Sequence, residues 1–413
     1  MDRFFDLVES KRRGMGSVSI FKDGKEVYQK TYGYANLKDS TLANQETKYR
    51  IGSISKTFTA AIIMQLIDEK KIKLETKLAD YFPSLSNSEK ITIEHLLRHQ
   101  SGLYNFTSSK DFLNWHFQPK TKTELVELFI KNGSVFQPGE KTEYSNTGYV
   151  LLSFIGEKIE NKEFSQILKE RITGPLELKN TFYGGRIIPE NNEAYSYVRS
   201  TAWVQSPETN LSIVVGAGAL TSTPSDVNRF YNSLFSGKVV SENSLKEMLR
   251  YDEKNFGIGL GQLLLQDKVG YGHDGAIDGF QSSVVYFPKE KVSIALTSNG
   301  HLMPMKETME GIISIYFGRN FNMPVFEEIK LSNEELASYT GNYYCSKLNQ
   351  KVFIFIKDNN LIGQAEGQPP LLLEPYEKHQ FKNEQAMIKV TFIPEKNKMI
   401  LDQAGNKFEY IKE

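Results

Sequence analysis

The sequence predicts an α/β fold. An antiparallel β-sheet is flanked by helices, a mostly helical subdomain is inserted into it, and a small C-terminal antiparallel β-barrel follows. Three observations predict this. The alternating stretch SVSIFKDGKEVYQKTYGYAN surrounds Asp23-Gly24, a two-residue hairpin signal. Helical spacing dominates from about 71 to 190, and strand patterns return between 210 and 300. From 338 to the end, short strands alternate with turn residues, as in KVFIFIKDNNLIGQA and MIKVTFIPEKNKMILDQAGNKFEYI.

Taken in order, residues 1–13 read as a helix with Phe4, Phe5, Leu7 and Val8 on its apolar face. The Asp23-Gly24 hairpin follows. A helix then begins at Ser53 and runs to about Lys70, apolar nearly all round from Phe58 to Ile67 and therefore buried. ITIEHLLRHQSGL, KTELVELFIKNG and TGYVLLSFIGEKIENKEFSQILKERI carry helical spacing, with Gly133 and Gly174 as stops. LSIVVGAGALTS reads as a strand ending in glycines, and TPSDVNRFYNSLFSG as a helix starting at Ser225. GFQSSVVYFPKEKVSIALTSN reads as a hairpin around Pro288-Lys289, and MKETMEGIISIYFGRN as a closing helix. A boundary falls at 320–331, dividing a domain of residues 1–325 from one of 331–413. Ser332 and Glu335 then match a capping box.

The bulk composition removes several function classes. The 413 residues suit two domains. Fifty basic residues balance fifty acidic ones, so no net charge steers the chain toward nucleic acid or anionic lipid. One cysteine, Cys345, excludes an intramolecular disulfide, and in NYYCSK it reads as a small, half-buried strand residue. No run of 18 apolar residues spans a membrane. The start, MDRFFDLVESKRRGMG, lacks the apolar core and cleavage site of a signal peptide. The sequence fits a cytoplasmic protein or a mature form given a new Met1.

One residue is out of place in this pattern. Lys56 stands at the head of the apolar helix, three residues after Ser53 and on the same face. Burial favours the neutral form of a lysine, and a neutral amine beside a serine hydroxyl can take its proton. The N–H of Ser53, at a helix N-terminus, points where an oxyanion would develop. Two further segments carry chemistry. PGEKTEYSNTGYVLLS holds Tyr144 and Asn146; a tyrosine near a lysine can be driven toward phenolate, and an asparagine amide can orient a substrate carbonyl or Lys56. GYGHDGAIDGF holds His273, Asp274 and Gly275 on a glycine-flanked strand, where glycine admits a substrate backbone and His273 can donate to a substrate carboxylate or carbonyl.

Other signals carry less. His95 and His99 have the i, i+4 spacing of a helical zinc pair, but the intervening general-base Glu and a third ligand are missing. FGIGLGQ reads as a glycine-rich strand rather than a nucleotide loop, and VFIF at 352–355 as barrel core. No G-x-S-x-G elbow occurs.

Ser53-x-x-Lys56, Tyr144-x-Asn146 and His273-Asp274-Gly275, in this order, resemble the motifs of the penicillin-binding-protein and serine β-lactamase superfamily, in its class C-like branch of DD-peptidases, esterases and D-amino-acid-specific peptidases. TIEHLLRHQSGL, GPLELKNTFYG and GAGALTSTPSDVNRF support the resemblance, which covers about residues 10–320. It implies an acylated Ser53, proton transfer by Lys56 and Tyr144, and substrate positioning by Asn146. His273 and Gly275 line the strand edge of the cleft, and the N–H groups of Ser53 and Ala276 form the oxyanion hole. The C-terminal module resembles the lipocalin-like appendage of some members.

The third motif departs from the lactamase pattern, which has Lys-Thr-Gly where this chain has His-Asp-Gly. A histidine holds only part of a charge near neutral pH, and Asp274 repels carboxylates. The expected function is therefore an acyl-enzyme peptidase or esterase. A β-lactamase is the alternative, and a non-catalytic sensor on the same scaffold is the alternative of another class. The expected partner is a small-molecule or short-peptide substrate, with D-amino-acid compounds and β-lactams as candidates. No cofactor, metal or nucleic acid is expected, and the family resemblance implies a periplasmic or secreted location. Oligomeric state is not readable from the sequence.

Overall fold

The chain opens with α1 (Asp2–Ser10), which buries Phe4, Phe5 and Val8 from the expected apolar face. The Asp23-Gly24 turn closes the expected hairpin. β1 (Gly14–Lys22) pairs antiparallel with β2 (Lys25–Tyr32), and both turn residues take positive φ, as a type I′ turn requires. The structure, a computed structural model, describes residues 1–413 apart from 200, 253, 255, 266, 327, 328, 330, 369, 384, 385 and 404.

The buried helix α2 (Ser55–Asp68) begins two residues later than the spacing predicts, after a 3₁₀ turn over Gly52–Ile54. Ser55 causes the tight entry. Its hydroxyl donates to the Gly52 carbonyl (2.7 Å) and accepts the Leu220 N–H (3.1 Å). Every residue from Ser55 to Met64 is buried. α3 (Asn146–Glu160) buries Thr147–Glu157. The long helix expected there breaks at Asn161, whose φ of 52° ends it in the left-handed conformation.

LSIVVGAGALTS is not the strand its β-branched residues predict. Leu211–Ile213 and Val215–Gly218 are helical turns, and only Leu220–Ser222 is extended. Close approach explains the difference. A Cβ on Gly216 would lie 2.8 Å from both Thr59 Oγ1 and Ser153 Cβ, so glycine lets this segment press between α2 and α3. α4 (Pro224–Phe235) is capped by Thr223, which accepts the Asp226 N–H, rather than starting at Ser225. Gly257–Leu260 form a bend, not a strand.

β3 (Gly261–Leu265), β4 (Lys268–Ile277), β5 (Phe280–Phe287) and β6 (Val292–His301) join β1 and β2 in a six-stranded sheet ordered β3-β4-β5-β6-β1-β2. β3 reaches only as far as Gly272 on β4. The outer edge of His273–Ile277 therefore pairs with no other described strand. α2, α3, α4 and inward residues such as Val284 and Ala295 share one apolar core, in which Phe58 stacks on Phe230 with centroids 3.7 Å apart.

Residues Met15–Ser196 and Ser206–Asn299 make one compact unit; Met1–Gly14, Tyr197–Gln205 and Gly300–Glu413 make a second. The second holds α1, α5 (Met305–Tyr316) and the Ser332–Glu335 capping box. It ends in a closed eight-stranded antiparallel barrel from β7 (Gly341–Cys345) to β14 (Asn406–Lys412). Cys345 is buried in the barrel core. In VFIF the strand alternation turns Val352 and Ile354 inward, so the aliphatic residues, not the half-buried Phe353 and Phe355, fill the core. No helix among the described residues is long and apolar enough to cross a membrane.

Candidate active site

The turn carrying Ser53 is braced from both sides. Before it, Tyr49–Arg50 pairs with Leu220–Ser222. The Arg50 guanidinium, 3% exposed, donates to the Thr209 and Gly185 carbonyls and to the Asp278 and Glu208 carboxylates, all at 2.8–3.0 Å. Asp278 lies in the β4–β5 turn, so the buried Arg50–Asp278 pair ties that turn to the strand before Ser53. On the other side β4 is pressed against the turn itself. Gly52 has φ +48°, and a Cβ there would sit 2.7 Å from Ala276 N; a Cβ on Gly275 would sit 2.0 Å from the Ile51 carbonyl oxygen. The close approach that Gly275 permits is thus that of the chain's own Ile51. The Ile51 carbonyl also accepts the Ser282 hydroxyl at 2.8 Å.

That contact makes a direct prediction. Gly275→Ala must push β4 off the turn, at a cost of about 1–3 kcal/mol. The expected result is a lower melting temperature together with a loss of turnover; unchanged values of both would contradict the contact.

Lys56 is completely buried. Its Nζ lies 2.9 Å from Ser53 Oγ, 2.7 Å from Asn146 Oδ1 and 2.8 Å from the Ala217 carbonyl oxygen. Desolvation holds its pKa well below the ordinary lysine value. A neutral amine has two N–H bonds and one lone pair. The two carbonyl-type oxygens can only accept, so they take both N–H bonds. The lone pair is left for the Ser53 hydroxyl, the one neighbour able to donate.

Asn146 stands at the first turn of α3 and spends its amide on this arrangement. Oδ1 receives Lys56, Nδ2 donates to Thr107 Oγ1 (2.9 Å), and its backbone N–H donates to Asn105 Oδ1 (3.0 Å). Of the two roles open to it in the sequence, the geometry favours orienting Lys56. Tyr144 is hydrogen-bonded to Ser53, and Lys56 Nζ lies 4.8 Å from its ring centroid. The expectation of a phenolate is corrected here. Burial outweighs the Ser53 hydrogen bond and pushes the phenol pKa up, so Tyr144 keeps its proton.

His273 faces Tyr144, with ring centroids 6.3 Å apart. Its Nδ1–H donates to the Asp274 carbonyl at 2.5 Å, and burial, reinforced by Lys56, pushes its pKa down to about 4. The ring is therefore neutral near pH 7 and presents an Nε2 lone pair. It offers an acceptor, not the donor expected from sequence. Asp274 is exposed, and its carboxylate accepts the Ser283 hydroxyl at 2.6 Å.

Sequence reasoning missed Ala217, Thr107, Asn105 and Arg50. A backbone carbonyl has no sequence signature, and the other three act on neighbours remote in the chain. The two histidines weighed as a metal pair spend their Nδ1 lone pairs on backbone N–H groups, His95 on Thr92 and His99 on Ser145.

A serine at the head of a buried helix, a desolvated lysine bonded to it and an open strand edge alongside define a class of protein: serine hydrolases that work through an acyl-enzyme. The chain belongs to the Beta-lactamase family, whose model matches residues 2–311. Penicillin-binding protein 4* of Bacillus subtilis (strain 168) is 25% identical over 427 residues, covering 95% of this chain and 93% of that protein. Teichoic acid D-alanine hydrolase of Staphylococcus aureus is 28% identical over 235 residues, 57% of each. The D-amino acid amidase of Ochrobactrum anthropi SV3, solved with L-phenylalanine amide, superposes with a TM-score of 0.64 at 26% identity, covering 72% of this chain and 91% of that one.

Proposed function

We propose that this hydrolase cleaves esters or amides of small D-amino acids with a free amino group, through acylation of Ser53. Ser53 Oγ attacks the carbonyl carbon and passes its proton to the Lys56 lone pair. The carbonyl oxygen, now negative, faces the N–H groups of Ser53 and Ala276. The C–O or C–N bond breaks, and the proton on Lys56 reaches the leaving group through the Tyr144 hydroxyl. Water then repeats the sequence on the acyl-enzyme and frees the acid. The observation that carries this reading is the division of Lys56 contacts, with two acceptor oxygens and one hydroxyl.

The substrate class is argued from the third motif. The His273 lone pair and the Asp274 carboxylate accept hydrogen bonds and favour a cation, so an ammonium suits this edge and a carboxylate does not. The D-alanine and D-amino acid substrates in the relatives' names agree with that. The strand edge at His273–Ile277 supplies backbone groups for the acyl portion. We assign the reaction to the cell envelope or the secreted space, in keeping with the teichoic acid named for one relative; activity confined to the cytosolic fraction of the native cell would oppose this.

The test compares D-alanyl p-nitroanilide, p-nitrophenyl acetate and nitrocefin under one condition, with mass spectrometry for an adduct on Ser53. Preferred turnover of the D-alanyl compound supports the reading, and preferred turnover of nitrocefin overturns it in favour of a lactamase. His273→Lys is expected to raise turnover of carboxylate-bearing substrates relative to neutral ones by about tenfold, the ratio that 1.4 kcal/mol supplies. An unchanged ratio would show that position 273 does not read substrate charge.

A further inference from the structure

His99 has a use that a metal pair does not describe. It is buried, just beyond the short helix Ile93–Leu97, with φ +59°. Its carbonyl accepts the Glu143 N–H at 2.9 Å, and its Nδ1 accepts the Ser145 N–H at 3.1 Å. These are the two residues flanking Tyr144. Its ring lies against the Tyr144 ring, with centroids 4.6 Å apart and planes at 32°. Tyr149 (5.1 Å) and Phe256 (5.7 Å, edge on) also pack against the imidazole.

We infer that His99 is a positioning residue, which through a neutral, Nε2-protonated imidazole holds Tyr144 against Ser53 and Lys56. The inference rests on the role given to Tyr144 above. Tyr144 lies in irregular backbone just before α3, where no helical or strand hydrogen bonds fix it. One residue grips that backbone on both sides and covers the ring. One backbone hydrogen bond, one side-chain hydrogen bond and one ring contact from a single residue leave the phenol little freedom, and a displacement of about 1 Å can cost about 10²-fold in rate. The left-handed φ also fits, because His, Asn and Asp adopt it more readily than other side chains.

The tautomer follows from the bonding. Nδ1 accepts, so the ring proton is on Nε2. An imidazolium would set a second N–H against that of Ser145 and would break the clamp. The titratable groups facing the ring are the Tyr144 and Tyr149 phenols, the Lys56 amine and the His273 imidazole. None is a carboxylate that would stabilise a charge. Burial, with smaller contributions from Lys56 and His273, pushes the His99 pKa well below its usual value.

The experiment is a double-mutant cycle on the full chain with p-nitrophenyl acetate. His99→Asn tolerates the backbone conformation but removes the ring. It is expected to lower kcat by about 10²-fold with little change in KM. In a Tyr144→Phe background it should cost almost nothing more, since it acts through the missing hydroxyl. Losses that multiply fully in the double variant would overturn the inference, because general damage to the fold would act in both backgrounds. A second measurement needs no variant. Histidine ¹⁵N shifts of the wild-type protein should show one buried ring as the neutral Nε2–H tautomer at about pH 6; finding no such ring would overturn it. Failure of the underlying mechanism is distinguishable, since the wild-type protein would then form no acetyl adduct on Ser53 with p-nitrophenyl acetate and Tyr144→Phe alone would leave turnover unchanged.

Discussion

Ser53→Ala is expected to lower ester and amide turnover by about 10⁴-fold or more, to the level left by binding and oxyanion contacts alone. The same substitution should barely disturb folding. Ser53 is half-buried on a turn, and its hydroxyl contributes about 1 kcal/mol through its hydrogen bonds. A domain of this size would shift its melting temperature by about 2–4 °C. Steady-state kinetics and thermal denaturation on one preparation check both halves. A variant retaining near-normal turnover would end the assignment of the nucleophile, whatever its stability.

Lys56→Ala is expected to slow acylation by about 10²–10⁴-fold, the usual worth of a positioned base. Its second consequence is in the pH profile. The folded-state pKa of Lys56 lies well below the ordinary value of 10.5. Activity that needs the neutral amine rises as pH climbs through that depressed pKa and is lost on acidification below it. Stability follows the same sign. Between the two pKa values the unfolded chain binds a proton that the folded chain does not, so stability rises with pH across that window. Lys56→Ala should remove this limb from the acylation profile and flatten the corresponding stability slope. A variant that acylates slowly but keeps the wild-type acid limb would place the base elsewhere.

Much of this site was legible before any coordinates, and the reasons differ by residue. Ser53 and Lys56 were visible from spacing, because a cation at the head of an apolar helix conflicts with its surroundings unless it has a task. The chemistry of Tyr144 and Asn146 was readable from their side chains, but their place beside Lys56 came from resemblance, since nothing local brings residues 90 positions apart to one amine. The protonation of Tyr144 was misjudged because proximity to Lys56 was weighed without the larger effect of burial. His273 was misjudged because its carbonyl partner is its own neighbour's backbone. The segment at 211–222 was read as a strand from its valines and isoleucines. Its shape is set instead by the room that Gly216 leaves between two helices, and that helical turn delivers the Ala217 carbonyl to Lys56. The barrel was readable because each short strand carries its own turn signals.

The half-open margin of β4 has a cost as well as a use. A strand edge that no other described strand covers invites any extended chain, including a neighbouring copy of this one, whereas the closed barrel offers no such margin. The exposed Asp274 on that margin, between a histidine and two small residues, puts a carboxyl group where an apolar strand would pair and makes the margin a poor template for apolar strands. The same group that would welcome a small cationic guest would then discourage self-association, so recognition and colloidal behaviour are joined at a single side chain.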